Sequence, residues 1–184
     1  MKLSLSLLTF LGATLVAAQS PTPSGTVFLV RHAEKVSEAQ DAVLSRIGEQ
    51  RAACLAQTLR DAHIGAIYVT QVQRTQQTAE PLAKSLGIQP TVFKADDTTT
   101  LVSNVRQDLS EKENVLVVGH SDTLPKVLTV LGIMGAPAIG HDDYDLLFVV
   151  DNSGNHPELT TLHYCPSQRK AASSQETENM RRMR

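Results

Sequence analysis

The sequence predicts a three-layer α/β/α sandwich on a mostly parallel, mixed sheet. Three observations predict it. Short continuous apolar runs recur along the chain, as strands buried on both faces require. Stretches with helical apolar spacing alternate with them, the order that builds parallel strands joined by crossover helices. A last pair of apolar runs flanks the turn-rich loop Asn152-Ser153-Gly154-Asn155, which predicts an antiparallel addition to the sheet.

The elements follow in order. Thr26-Val27-Phe28-Leu29-Val30 reads as the first strand, after the linker-like run Ser20-Pro21-Thr22-Pro23-Ser24-Gly25. Ser45 is placed to cap a helix from Arg46 to His63, whose Ile47, Ala52, Leu55 and Leu59 make an apolar stripe. Ile64 to Thr70 is the second strand, and Thr75 to Leu86 a helix closed by Gly87, with Pro81 either kinking it or marking a late start. Thr91-Val92-Phe93 reads as a short strand and Thr98 to Leu109 as a helix. Val115-Leu116-Val117-Val118 is a fully buried strand, followed by a helix from Thr123 to Leu131 that ends at Gly132. Leu146 to Val150 and Leu159 to His163 are the last strands. No internal repeat or shift of composition divides residues 26–165, which read as one domain.

Composition narrows the function classes. The chain has 184 residues, 41% hydrophobic and 4% aromatic, an ordinary globular balance. Leu3 to Ala18 is apolar, follows Met1-Lys2 and ends in small residues, so residues 1–18 read as a cleaved signal peptide, 19–25 as a linker, and the protein as exported, periplasmic or extracellular. The stretch is too short, and too interrupted by Ser and Thr, for a membrane span. Residues 19–166 carry 11 basic and 17 acidic groups, an acidic body that argues against nucleic acid as a partner. The basic end, residues 166–184, reads as a disordered solvated tail. Cys54 lies in a helical pattern and reads as a small buried apolar residue. An exported chain still permits one bridge to Cys165, and the sequence leaves their pairing open.

Ligands of such sheets bind beyond the carboxyl ends of the strands. The first strand runs into Arg31-His32-Ala33-Glu34-Lys35, the second into Gln71-Val72-Gln73-Arg74, and the Val115–Val118 strand into Gly119-His120-Ser121-Asp122. Two arginines and two histidines at one edge suit a phosphoryl group. Guanidinium forks bind its oxygens in pairs, and an imidazole nitrogen attacks phosphorus or steadies developing charge. His141, His156 and His163 lack metal-site spacing and read as surface residues, so no metal and no cofactor is expected. Gly119-His120-Ser121-Asp122-Thr123 is not a nucleophile elbow, because Thr123 stands where that turn needs glycine. Glu34 and Lys35 either line the pocket mouth or form a solvated pair. Asp142-Asp143-Tyr144-Asp145 either borders the entrance, with Tyr144 as a wall, or is a plain acidic loop.

At these residues the sequence resembles the histidine phosphatase superfamily, also called phosphoglycerate mutase-like, and in particular its short members that act on phosphohistidine. Leu29-Val30-Arg31-His32-Ala33-Glu34 is similar to the family's Arg-His-Gly signature, with Ala33 for Gly. Leu44-Ser45-Arg46-Ile47-Gly48 resembles its leucine-(serine or threonine)-x-x-glycine element. Tyr68 to Ala79, around Arg74, resembles its strand-then-arginine segment, and Val117-Val118-Gly119-His120-Ser121 its second histidine segment. The resemblance implies that His32 is the nucleophile, that Arg31 and Arg74 hold phosphate oxygens, that His120 steadies the transition state, and that Ser121 helps bind substrate. Neutral His32 would need a backbone carbonyl on its other nitrogen to fix the tautomer.

The proton donor is the weak point of the match. Asp97 and Asp122 are the candidates, at spacings unlike those of the family branches that use an acid. Ala33 tolerates a positive φ poorly, so that position is expected in the right-handed or bridge region. Three readings follow. The first is a metal-independent phosphatase acting on a small-molecule or peptide phosphomonoester, or on phosphohistidine, through a phosphohistidine at His32. The others are a secreted phosphate-ligand binding protein without turnover, or a phosphomutase. Substrate identity and oligomeric state are not written in the sequence.

Overall fold

The computed structural model describes residues 25–111 and 113–165. The signal peptide expected over 1–18, linker residues 19–24 and the basic tail 166–184 lie outside the described residues. The elements run β1 (Thr26–Arg31), α1 (Arg46–Leu59), β2 (Ile64–Thr70), α2 (Gln73–Leu86), β3 (Thr91–Phe93), α3 (Thr98–Ser110), β4 (Asn114–Gly119), α4 (Thr123–Leu131), β5 (Leu146–Asp151) and β6 (Glu158–His163).

The strands form one sheet in the order β3-β2-β4-β1-β5-β6. The first four are mutually parallel; β5 runs antiparallel to β1 and β6 antiparallel to β5, the mixed sheet that the sequence predicts. Successive side chains point to opposite faces, so each central strand feeds two cores. Val30, Ile67, Val69, Leu116, Val118 and Leu147 pack against Leu55 and Leu59 of α1 and Ala79 and Leu82 of α2. Val27, Leu29, Val115, Val117, Phe148 and Val150 pack on the other face with Val105 and Leu109 of α3 and Leu124 and Leu128 of α4. This is the three-layer α/β/α sandwich.

Two helix ends differ from expectation by more than one residue, each for an identifiable reason. Helix α1 stops at Leu59 rather than His63. Ala62 N–H closes a turn on the Leu59 carbonyl at 3.0 Å, and His63 takes a left-handed φ of 51°. Helix α2 begins two residues early, at Gln73, because Asp41 reaches across from the loop after β1 and accepts from Gln73 N–H at 3.1 Å. Pro81 lies inside that helix, not at its start.

The pairing that the sequence left open is resolved: Cys54 and Cys165 form a disulfide, with Cα atoms 6.3 Å apart. The expectation of a buried apolar Cys54 fails because α1 turns that position only half inward, toward the segment leaving β6. Arg51, one turn before Cys54, makes a second tie there. Its guanidinium donates to the Cys165 carbonyl at 2.7 Å, and to both carboxylate oxygens of Glu34 at 2.9 and 2.8 Å. Glu34 is therefore neither a pocket-mouth residue nor half of a solvated pair with Lys35. It anchors the loop after β1 to α1, and Lys35 pairs with Glu38 instead at 2.6 Å.

Gly48 explains the second sequence element. The Ser45 side chain caps α1 by accepting from Gly48 N–H at 3.2 Å, while Ser45 N–H donates to the Glu34 carbonyl at 2.8 Å. A Cβ at Gly48 would collide with that same Glu34 carbonyl. The glycine lets the helix start lie directly against the loop that carries His32.

Candidate active site

Strand register brings the two histidines together. Arg31 pairs with Gly119 across β1 and β4, and His32 N–H continues the ladder to the Gly119 carbonyl at 2.9 Å. The next residue on each strand is a histidine, and the imidazole centroids stand 5.2 Å apart, edge to face. Residues 88 positions apart thus meet because two parallel strands end level.

His32 is 4% exposed. Its Nδ1 lies 2.8 Å from the Ala33 carbonyl. A carbonyl only accepts, so Nδ1 carries the hydrogen and Nε2 keeps its lone pair. This is the fixed tautomer that the sequence reading called for. Burial, then the charges of His120, Arg31 and Arg74, lower its pKa to about 3, against the Ala33 bond, which raises it. The ring is neutral at ordinary pH. Ala33 is not among the residues with positive φ, and its N–H donates to Thr78 Oγ1 at 2.9 Å. Thr78 in turn donates to the Arg74 carbonyl at 2.7 Å, joining the His32 loop to the helix that bears the second arginine.

His120 is held by two threonines. Thr75 Oγ1 lies 3.0 and 2.8 Å from the carbonyls of Thr70 and Val72, which only accept, so its hydrogen goes to one of them. The Thr70 hydroxyl, 2.9 Å away, then donates to Thr75, and Thr70 Oγ1 is left to accept from His120 Nε2–H at 3.0 Å. Burial and the Arg74 charge lower the His120 pKa to about 4, while the Asp122 charge pulls it back upward. Sequence reasoning missed both threonines. A hydroxyl at a strand end and another five residues on carry no periodic signal.

The arginines are each pinned to a mouth loop through their terminal nitrogens, Arg31 also by Nη2 to the Tyr144 hydroxyl at 3.5 Å. Arg31, 6% exposed, donates through Nη1 to the carbonyls of Gly140 and His141 at 2.9 and 2.7 Å. Arg74 donates through Nη1 to the Gln40 carbonyl. The Nε of each is buried and has no acceptor among the described residues. A buried N–H without an acceptor costs about 1–3 kcal/mol, so two on neighbouring cations mark a place suited to an anion. Tyr144 borders this place as a wall. Its ring centre is 4.2 Å from the Arg31 guanidinium carbon and 6.0 Å from the His32 ring.

The remaining sequence candidates fall outside this cluster or at its rim. Ser121 is half-buried beside His120. Asp122 is exposed at the start of α4, where its charge reaches His120. Asp97 caps α3, its carboxylate accepting from Thr100 N–H at 3.2 Å. His141 and His163 bond to Asp142 and Asp145, both at 3.1 Å. Among the described residues no three His, Cys, Asp or Glu side chains are grouped to hold a metal ion.

The parallel strands of a mixed sheet, with the start of α2, bring two histidines and two arginines to one edge, which defines an α/β protein with a cationic cluster at the carboxyl ends of its strands. The sequence model of the histidine phosphatase superfamily (branch 1) matches residues 27–96. Over 69 residues, 34% of this chain, the sequence is 39% identical to a protein of Yersinia enterocolitica named as a probable phosphoglycerate mutase, and the match spans 32% of that relative's length. The fold is similar to that of the protein histidine phosphatase SixA complexed with tungstate, with a TM-score of 0.59 at 19% identity over 75% of this chain and 96% of that one. It is equally similar to a mycobacterial glucosyl-3-phosphoglycerate phosphatase, with a TM-score of 0.62 at 14% identity over 76% of this chain and 99% of that one. The chain thus resembles the histidine phosphatase superfamily in sequence over residues 27–96, and three quarters of it share the fold of these phosphatases.

Proposed function

We propose that the protein is a metal-independent phosphatase that hydrolyses a phosphomonoester or a phosphohistidine through a covalent phosphohistidine on His32. The observation that carries this reading is the bare Nε2 of a buried, neutral His32, oriented by the Ala33 carbonyl and flanked by two arginines with unsatisfied Nε donors. The Nε2 lone pair forms the N–P bond as the bond from phosphorus to the leaving oxygen breaks. Arg31, Arg74 and His120 take the charge of the phosphoryl oxygens, with Ser121 as a further donor. Phosphate charge beside His120 favours its protonated form, since the dianion offsets the Arg74 repulsion.

The leaving oxygen takes up one proton, from solvent or from the acid form of Asp122, two residues after His120; Asp97 is occupied in capping α3. Water then attacks phosphorus and the N–P electron pair returns to Nε2; one water proton stays on the released phosphate and the other restores the one given to the leaving oxygen. The same reading places the protein outside the cytoplasm after loss of residues 1–18, and a disulfide in the folded domain supports it.

The test is hydrolysis of p-nitrophenyl phosphate in excess chelator by the parent and by His32→Ala, with acid-quenched phosphoryl labelling of the protein. Turnover and labelling in the parent, both absent in the variant, are expected. A parent inactive on this and other phosphomonoesters would leave a binding protein. The likeness over 69 residues to a named mutase favours a second reading, phosphoryl transfer between hydroxyls. Interconversion of 2- and 3-phosphoglycerate faster than their hydrolysis would establish it.

A further inference from the structure

The floor of the site is cationic and its rim is acidic. The loops that follow β1 and β4 and the loop that precedes β5 all stand at the edge that carries His32 and His120, because β5 is antiparallel to β1. From the first loop, Glu38 lies 3.9 Å from His141, whose carbonyl accepts from Arg31. Asp41 neighbours Gln40, whose carbonyl accepts from Arg74. Asp122 follows His120 by two residues. Asp142, with its side chain 92% exposed, precedes Tyr144 by two. Mutual effects agree with this placement: Arg31 is among the charges acting on Glu38, and Arg74 among those acting on Asp41. Lys35 is the cation of the first loop; its 2.6 Å pair with Glu38 cancels both charges, so the rim's net negative charge comes from Asp41, Asp122 and Asp142, and Glu38→Gln would add the freed Lys35 charge.

The acidic rim alone would be an ordinary solvated surface. What makes it part of a ligand site is the floor beneath it, where Arg31, nine-tenths buried, has an Nε with no acceptor among the described residues. A phosphate drawn to that floor must leave the rest of its molecule at the rim. A second anionic group there meets carboxylates at short range, whereas a cationic one gains the same energy with opposite sign.

We infer, on the phosphatase reading above, that this site selects phosphoesters whose remaining portion is neutral or cationic and discriminates against those that carry a second acid. The inference concerns the leaving portion alone and does not depend on which residue supplies its proton.

Three aryl phosphates test it: p-nitrophenyl phosphate, 4-(trimethylammonio)phenyl phosphate and 4-carboxyphenyl phosphate, assayed at low ionic strength on the parent and on Glu38→Gln/Asp142→Asn. Neither substituted residue touches the phosphoryl group, so p-nitrophenyl phosphate turnover should stay within about twofold of the parent. In the parent, kcat/KM for the cationic ester should exceed that for the anionic one by about tenfold, the scale of two rim charges at solvent-exposed separations. That ratio should fall by about threefold or more in the double variant, and by a similar factor on raising salt toward 0.5 M, where the Debye length contracts to a few ångströms. Comparing the ratio between proteins cancels the different leaving-group acidities. Equal or reversed preference in the parent, or a ratio untouched by the double substitution, would overturn the inference. Absence of p-nitrophenyl phosphate turnover would instead count against the phosphatase reading. The affinities of the three esters, measured by calorimetry on the same two proteins, would then decide the rim's preference.

Discussion

His32 should stay neutral far into acid, and protein stability should report it. The folded chain holds this imidazole near pKa 3 by burial, whereas the unfolded chain releases it to 6.5. Acid therefore protonates the unfolded state first and draws the equilibrium toward it. The stability contributed by keeping His32 neutral is complete above about pH 6.5 and is lost as pH falls toward about 3. At pH 4 the unfolded imidazole has gained its proton and the folded one has not, a gap of about 2.5 pK units or about 3 kcal/mol. The perturbation is His32→Asn, and the assay is urea unfolding at pH 7 and at pH 4. With a slope near 2 kcal/mol/M, the midpoint of the parent should drop between the two pH values by about 1.5 M more than that of the variant. Carboxylates titrate in both proteins and cancel in the comparison. Midpoints that fall in parallel, within about 0.5 M, would refute the claim that burial holds His32 unprotonated.

Three further outcomes follow from the geometry. Arg51→Met strands the Glu34 carboxylate and the Cys165 carbonyl, so it should cost about 3–5 kcal/mol in urea unfolding, and Glu34→Gln in the same chain should recover part of that loss. Arg74→Lys keeps the charge but removes the planar fork, Nε included, and should lower kcat/KM for p-nitrophenyl phosphate by about 10–100-fold while leaving the thermal midpoint within a few degrees. Cys54→Ser/Cys165→Ser opens a link between residues 111 positions apart and should destabilise the fold by about 2–5 kcal/mol. Mass spectrometry of the parent should show two hydrogens fewer than its reduced form.

The central fold was legible because strands buried on both faces leave little freedom of composition. Ile64 to Thr70 is bounded alike in sequence and structure, since its apolar run ends where the sheet does. Helix ends were less legible where a distant residue sets them: the start of α2 depends on Asp41, thirty-two positions away, and no local pattern encodes that capping. Of the site, His32, His120 and Arg31 were legible because they end or closely follow an apolar run, and Arg74 because it stands four residues beyond one. The supports were not. Thr70 and Thr75 act only once β2 and β4 lie side by side, and Arg51 looks like any helix cation until Glu34 folds against it. Tyr144 was one of two equal readings, decided by its distance to Arg31. The Cys54–Cys165 pair was hidden for the same reason: α1 and the end of β6 become neighbours only through the completed sheet.

That pair also sorts the chain under mechanical load. A force applied at Gly25 and Cys165 enters the covalent ring at the disulfide and leaves it at the same point, so residues 55–164, with Arg74, His120 and Tyr144, lie off the covalent load path. Only residues 25–54 lie on the loaded path, a contour of about 100 Å out of the roughly 490 Å that an unlinked domain would pay out. That short path contains Arg31 and His32. Pulling would therefore draw β1, with Arg31 and His32 at its end, from the middle of the sheet while Arg74 and His120 stayed inside a closed loop, a rupture that reduction would convert into full extension.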